Sequence, residues 1–338
     1  MFGGPWFAHR AWMILFLQVA GGLILLYFGG EYLVRGSVAL ADRLGVSHLL
    51  IGLTVVAAGT SAPELVVCLI AALKGEPGIA LGNVVGSNIA NILLILGVTG
   101  AIAAIPTSRA ALYRDGLAAV FATVLFAVMC MSGIVGRADG VLMLVCLVSY
   151  LVYCYRSDKR SRKAQATIEA EIEELGGHET RYWVMTAKLV GGLVGVLLGS
   201  ELLVAGARET ARIAGVGPEI IGLSMVAIGT SLPELATGIA AARQKHTDLA
   251  LGNVLGSNIF NLLAIMGVVA VVRPLAVPGR IVAFDLWAML GVTVAFVGLA
   301  LLTRRIGRSL AMVFLVIYVG YVVALFTGIS ALGLAHTG

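Results

Sequence analysis

The sequence predicts an all-α polytopic membrane protein of ten transmembrane helices, built as two inverted five-helix repeats. Three observations carry that prediction. Hydrophobic residues make up 59% of the 338 and charged residues only 12%, with a mean hydropathy of +1.00, far from the balance of a water-soluble domain. Apolar windows long enough to cross a ~30 Å hydrocarbon core recur at 12–34, 47–73, 77–104, 111–132, 138–155, 183–205, 217–243, 247–272, 281–302 and 309–331. Sliding the chain by 170 residues lays "IGLTVVAAGTSAPELVV" on "IGLSMVAIGTSLPELAT" and "ALGNVVGSNIANILLILG" on "ALGNVLGSNIFNLLAIMG"; 26 of the 47 positions from Ile51 to Gly97 are identical to their mates.

Each copy holds five windows. Five is odd, so the second copy enters the bilayer from the opposite side and the repeats are inverted. The expected organisation is a first half at 1–155 with its repeat motif at 51–97, a cytoplasmic loop at 156–181, and a second half at 182–338 with its motif at 221–267.

Window 12–34 follows Arg10 in the manner of a secretory signal, but it is long, lacks a small-residue cleavage site and has a counterpart in the second half, so it reads as a helix. Glu31 near its end, like its mate Glu201, is expected either near an interface or paired with Arg35 or another base. Window 47–73 contains "GTSAPE". Proline is tolerated in the first turn of a helix, so Pro63 marks a span that breaks near mid-membrane and restarts. Ser61 and Glu64 have the spacing of a capping box, in which serine caps the new helix and glutamate reaches back to a backbone N–H.

In window 77–104, Asn83, Ser87 and Asn91 fall at i, i+4 and i+8 on one helix face, while Gly82 and Gly86 allow close backbone approach. Asn83 and Asn88 serve equally well as ligands or as hydrogen-bonding glue between helices. Asp115 opens the next window, where an acid complements a helix N-terminus. Cys68, Cys130, Cys146 and Cys154 all lie inside apolar windows with no CxxC pair and read as packing residues.

Segment 156–181 is strongly polar, with a basic start and an acidic middle whose composition also suits a helix, and it is too short to bury a core, so it reads as a connecting loop. Placing it in the cytoplasm collects most lysines and arginines on the inside, including Arg35, Arg43, Arg109, Arg156 and Arg304, and leaves both termini outside. The net charge of +5 is then a consequence of membrane topology, not a nucleic-acid signal. The second half repeats the plan: "GTSLPE" in window 217–243, Asn253, Ser257 and Asn261 in window 247–272 with Gly252, Gly256 and Asn258 beside them, and Asp285 opening window 281–302.

The chemistry lies in the carboxylates. A charged side chain at the bilayer centre costs at least ~2.5 kcal/mol on insertion scales, so two symmetry-related glutamates call for a shared cation. Ala57, Thr60, Ser61 and Glu64 occupy one helix face, as do Ala227, Thr230, Ser231 and Glu234. With the second motif, that face offers carbonyl, hydroxyl, amide and carboxylate oxygen. Hard cations take such ligands, whereas zinc and copper sites favour His or Cys, which these motifs lack. Calcium and sodium are the natural candidates, and inverted repeats suit alternating access.

"GTSAPE" with "GNVVGSNIAN", and "GTSLPE" with "GNVLGSNIFN", resemble the two alpha-repeats of sodium/calcium exchangers in the calcium/cation antiporter superfamily. The resemblance implies a secondary active antiporter of prokaryotic type in a cell membrane, exchanging Na⁺ for Ca²⁺ at mid-membrane with no resident cofactor. The ligands it implies are the Ala57 and Ala227 carbonyls, Thr60, Ser61, Thr230, Ser231, Glu64, Glu234, Ser87, Asn91, Ser257 and Asn261. Some exchangers carry aspartate where Asn261 stands; this chain has asparagine in both halves. Three alternatives stay open: an H⁺/Ca²⁺ exchanger of the same superfamily, an intramembrane acid/base- or metal-dependent enzyme, and a passive channel.

Overall fold

A computed structural model describes residues 5–169, 182–213 and 229–326 of the chain. The long elements are helical: α1 Pro5–Leu44, α2 His48–Thr60, α3 Ala62–Lys74, α4 Pro77–Ile102, α5 Arg109–Met131, α6 Arg137–Glu169, α7 Tyr182–Ile213, α8 Leu232–Arg243, α9 Thr247–Val272, α10 Ile281–Thr303 and α11 Arg308–Phe326. Among the described residues eight helices are long and apolar enough to cross a membrane, and α2 with α3, bent by 44°, makes a ninth span. Window 217–243 is described only from residue 229, as the end of a tenth.

Local chemistry sets the boundaries. Gly45 (φ 62°) ends α1 in the left-handed conformation that glycine adopts without strain, and Ser47 caps α2 by accepting the Leu50 N–H at 3.2 Å. Pro63 and Pro233 sit in the first turns of α3 and α8, where a missing N–H costs nothing.

The connectors agree with spans that alternate in direction. Two short antiparallel pairs join them: β1 (Ile105–Pro106) with β4 (Arg305–Ile306), and β2 (Ile134–Val135) with β3 (Leu275–Ala276). Alternating helices put the first pair on one face and the second on the other. Asp158 accepts the Ser47 N–H at 2.8 Å and its hydroxyl at 2.6 Å on the first face. On the opposite face Arg273 Nη1 donates to the Leu73 carbonyl at 2.7 Å. We call the first the loop face, because segment 156–181 leaves from it.

The α1–α7 contact shows the inversion directly. Gly22, Gly29 and Gly36 recur every seventh residue, and their mates 170 positions on are Gly192, Gly199 and Gly206. A Cβ on Gly22 would lie 2.8 Å from the Gly199 carbonyl, one on Gly29 2.7 Å from the Val196 nitrogen, and one on Gly192 against the Leu33 backbone. Rising numbers on α1 meet falling numbers on α7, so the repeat-related helices are antiparallel and pack on one self-complementary glycine seam.

Deeper in, α4 and α9 carry windows that are 78% buried, against 11% for α11, so the helices bearing the asparagine stripes form the centre. Gly252 and Gly256 bring the α9 backbone against the Leu49 and Leu53 carbonyls of α2. Gly82 and Gly86 have no such close neighbour among the described residues. All four cysteines are free thiols, and Cys68, Cys130 and Cys154 are buried, as packing requires.

Two expectations are corrected. The basic start of segment 156–181 is not loop: α6 continues to Glu169, because nothing between Arg156 and Glu169 breaks a helix; residues 170–181 lie outside the described ones. Asp115 does not open its helix, which starts at Arg109. It is fully buried in a π-helical turn, Leu112–Gly116, where Arg114 Nε and Nη2 donate to it at 2.7 and 2.9 Å and the Tyr150 hydroxyl at 3.0 Å. Its charge is met by a neighbouring base, not by a helix terminus. Asp285 likewise closes a π-helical turn, Ile281–Asp285, one turn inside α10. Glu31 pairs with Arg35 as expected.

The seam yields a paired test. Gly191→Ala, with open space at its Cβ, should leave melting temperature unchanged or raise it by the equivalent of up to ~1 kcal/mol. Gly192→Ala should destabilise by about 1–3 kcal/mol through overpacking, measured by thermal unfolding in detergent.

Candidate functional site

The two breaks place the motif residues. At Ser61 (φ −82°, ψ 7°) and Ser231 (φ −89°, ψ 3°) the chain turns before α3 and α8 restart. Glu64 and Glu234 fall in the first turn of each new helix and are 1% exposed. Neither serine caps its helix, so the expected capping box does not form. Ser61 Oγ instead donates to Glu234 Oε1 of the other half at 3.1 Å, and Ser231 Oγ lies 3.4 Å from Ser87 Oγ. The hydroxyls are committed across the interface between the halves.

The same crossing recurs one residue earlier. Thr60 Oγ1 lies 3.4 Å from Asn253 Oδ1, and Thr230 Oγ1 lies 3.3 Å from Asn83 Oδ1; the two contacts are mates under the repeat shift. Each half therefore sets its first motif against the second motif of the other. Thr230 also faces the Glu64 carboxylate. The Ala57 carbonyl accepts the Ser61 N–H at 3.0 Å, so the break does not strip that carbonyl of its helical donor. Pro63, lacking an N–H, denies a donor to the Gly59 carbonyl one turn back.

Asn91 and Asn261 lie in π-helical turns, Asn91–Ile95 and Phe260–Ile265, wide turns that often mark functional sites. Asn91 Nδ2 donates to Asn258 Oδ1 at 2.9 Å, and Asn258 Nδ2 donates to the Asn88 carbonyl at 3.3 Å. Asn258 is thus spent on structure. So is Asn83, which donates to Cys68 Sγ at 3.4 Å besides meeting Thr230. Ala227 lies outside the described residues, and the other eleven expected ligands are all buried.

One feature unites several of them. Glu64 Oε2, Glu234 Oε2, Asn91 Oδ1 and Asn261 Oδ1 are buried without a hydrogen-bond partner among the described residues, and Ser257 faces the Glu234 carboxylate. Leaving such an atom unsatisfied costs about 1–3 kcal/mol, more for a charged group. No ion pair among the described residues reaches either glutamate. The site is acceptor-rich and donor-poor, with two carboxylates facing each other's halves. That donor set suits a hard cation of the calcium or sodium type.

The cross-half pairing and the heptad glycines were both present in the sequence, in the register of the repeat. Reading each motif within its own half conceals them, because they become contacts only when the halves are opposed.

The chain matches the family model described as sodium/calcium exchanger protein over residues 14–156 and 184–327. It is 36% identical over 318 residues to the putative antiporter CaxA of Alkalimonas amylolytica, covering 93% of this chain and 99% of that protein. It is 31% identical to the sodium/calcium exchanger MaX1 of Methanosarcina acetivorans, covering 92% and 98%. A solved structure of the sodium-calcium exchanger NCX_Mj superposes with a TM-score of 0.80 at 30% identity, covering 93% of this chain and 99% of that one. The chain belongs to the sodium/calcium exchanger family. It is a transporter, not an intramembrane enzyme, and a cation/calcium exchanger with that family's all-helical inverted-repeat fold.

Asn258→Ala should remove two buried hydrogen bonds and strand Asn91, lowering stability by about 1–3 kcal/mol. Thermal unfolding with and without calcium checks this; the calcium-induced shift should shrink but persist.

Proposed function

We propose that this chain is a secondary active antiporter that exchanges Na⁺ for Ca²⁺ by alternating access, with Glu64 and Glu234 as the charged ligands. The observation that carries the reading is the pair of buried carboxylates, each with an unpaired oxygen, among neutral oxygen groups drawn from both halves. Thr60, Ser61, Thr230, Ser231, Ser87, Asn91, Ser257, Asn261 and the carbonyls of Ala57 and Ala227 complete the ligand set. Two ionised glutamates balance one Ca²⁺ or two Na⁺, so the same oxygens serve either load in turn.

Exchange follows from the charge. A loaded site is near neutrality, whereas a site without cations holds two negative charges at the bilayer centre and resists the change of access. The chain therefore moves only when loaded, and ions exchange instead of leaking. Asparagine at both 91 and 261 keeps the ligand set at two carboxylates. A third Na⁺ would carry one net charge, worth ~2.3 kcal/mol per 100 mV. We place the loop face in the cytoplasm and both termini outside, following the lysine and arginine bias.

Calcium-45 uptake by proteoliposomes under Na⁺, K⁺ or pH gradients tests the reading. Uptake should follow the Na⁺ gradient and fall to background in both Glu64→Gln and Glu234→Gln. Uptake that answers only to the pH gradient would instead make it an H⁺/Ca²⁺ exchanger, uptake that persists without any counter-ion a channel, and full activity in both variants would remove the site. Imposing a membrane potential counts the sodium ions: a two-for-one exchange is insensitive to it.

A further inference from the structure

A second group of metal-ligating side chains lies at the loop face, away from the central glutamates. His48 opens α2, while His246 and Asp248 flank the start of α9. Each offers one ligand atom, and these atoms lie within 4.8 Å of one another. His48 Nδ1 is 3.4 Å from Asp248 Oδ2, close to the edge of a tetrahedron with ~2.0–2.1 Å metal–ligand bonds. The opposite ring nitrogen, Nε2, is 3.1 Å from Asp42 Oδ1 in the last turn of α1. The two imidazoles meet edge to face, centroids 5.2 Å apart.

We propose that His48 Nδ1, His246 and Asp248 form a peripheral site for a divalent transition-metal ion of the zinc class, with Asp42 orienting His48 from behind. A carboxylate on the far nitrogen of a metal-binding imidazole fixes its tautomer and raises its basicity. Two imidazole nitrogens and one carboxylate, with a fourth position open to water, suit Zn²⁺, Co²⁺ or Ni²⁺ and disfavour Ca²⁺.

The frame is rigid where the ligands need it. Immediately below them, Gly52 and Gly252 hold the α2 and α9 backbones in contact through the Leu249 and Leu49 carbonyls. Lys245 takes a left-handed conformation (φ 64°) in the α8–α9 turn just before His246, one that costs a side-chain-bearing residue roughly 1–2 kcal/mol. The cluster does not follow from the repeat. Positions one repeat away from Asp42, His48, His246 and Asp248 hold Arg212, Pro218, Glu76 and Gly78, so the other face has no copy. The central site uses oxygen from both repeats alike; this one joins two nitrogens to one carboxylate oxygen and is asymmetric.

Co²⁺ titration of the purified, tag-free protein, followed by visible absorption and calorimetry, tests the assignment. One Co²⁺ should bind with the d–d spectrum of nitrogen/oxygen ligation, be displaced by Zn²⁺ and be insensitive to Ca²⁺. Glu64→Gln and Glu234→Gln should bind it unchanged, which separates this site from the central one. His48→Gln, His246→Gln and Asp248→Asn should each weaken it at least tenfold while keeping calcium uptake measured without added Co²⁺ or Zn²⁺, which shows them folded. Unchanged Co²⁺ affinity in the His48→Gln/His246→Gln double variant, or no binding by wild type at millimolar Co²⁺, would overturn the proposal.

Discussion

Glu64 and Glu234 lie in the first turns of two opposed half-helices, buried, with no ion pair to a basic side chain among the described residues. Much of the architecture answers to that one electrostatic problem. A carboxylate at the middle of a bilayer must face the interior of the bundle; here it stands beside a break in the backbone, and a broken helix in turn must be buried in protein. The breaks at Ser61 and Ser231 therefore sit between α4 and α9, the most enclosed spans. The asparagine stripes on those two helices provide polar partners where lipid could not. The longer apolar helices at the periphery keep the assembly in the membrane and leave the centre free to be polar.

Symmetry divides the labour. Thr60 meets Asn253 and Thr230 meets Asn83, so neither half completes a site alone. The seam between α1 and α7 obeys the same rule, since Gly22 meets Gly199 and Gly29 meets the segment around Gly192. A self-complementary contact between inverted copies needs one solution, used twice. The departures from symmetry are equally informative. Both polar side-chain atoms of Asn258 are hydrogen-bonded while those of its mate Asn88 have no partner among the described residues, so the two halves of the site are in different arrangements.

The helical plan, the breaks at Pro63 and Pro233 and the buried glutamates were legible in the sequence, because a costly residue repeated at fixed register has few explanations. The capping box was not, because Ser61 has the same spacing to Glu64 whether its hydroxyl turns inward along its own helix or across to Glu234. Asp115 misled for a similar reason: hydropathy locates an apolar run only coarsely, and the helix had already begun at Arg109, more than a turn earlier. The heptad glycines were invisible to a reading by hydropathy, in which glycine scores as neither core nor surface. Close backbone approach gives glycine its meaning there, and it is a property of two helices together.

The two small strand pairs carry a consequence for how the protein is made. Ile105 belongs to the first half and finds its partner in Ile306, and Ile134 finds its partner in Ala276. Each face of the molecule is thus fastened by one connector from each half. The first five spans leave the ribosome with these clasps open and with Asn83 lacking Thr230. They must wait in the bilayer, inserted but unfinished, until nearly the whole chain has been synthesised. A chain cut short before Arg305 would keep Glu64, Glu234 and both asparagine stripes but lose the strand pair that ties Ile105 to Ile306, so that clasp of the loop face depends on the last residues to be made.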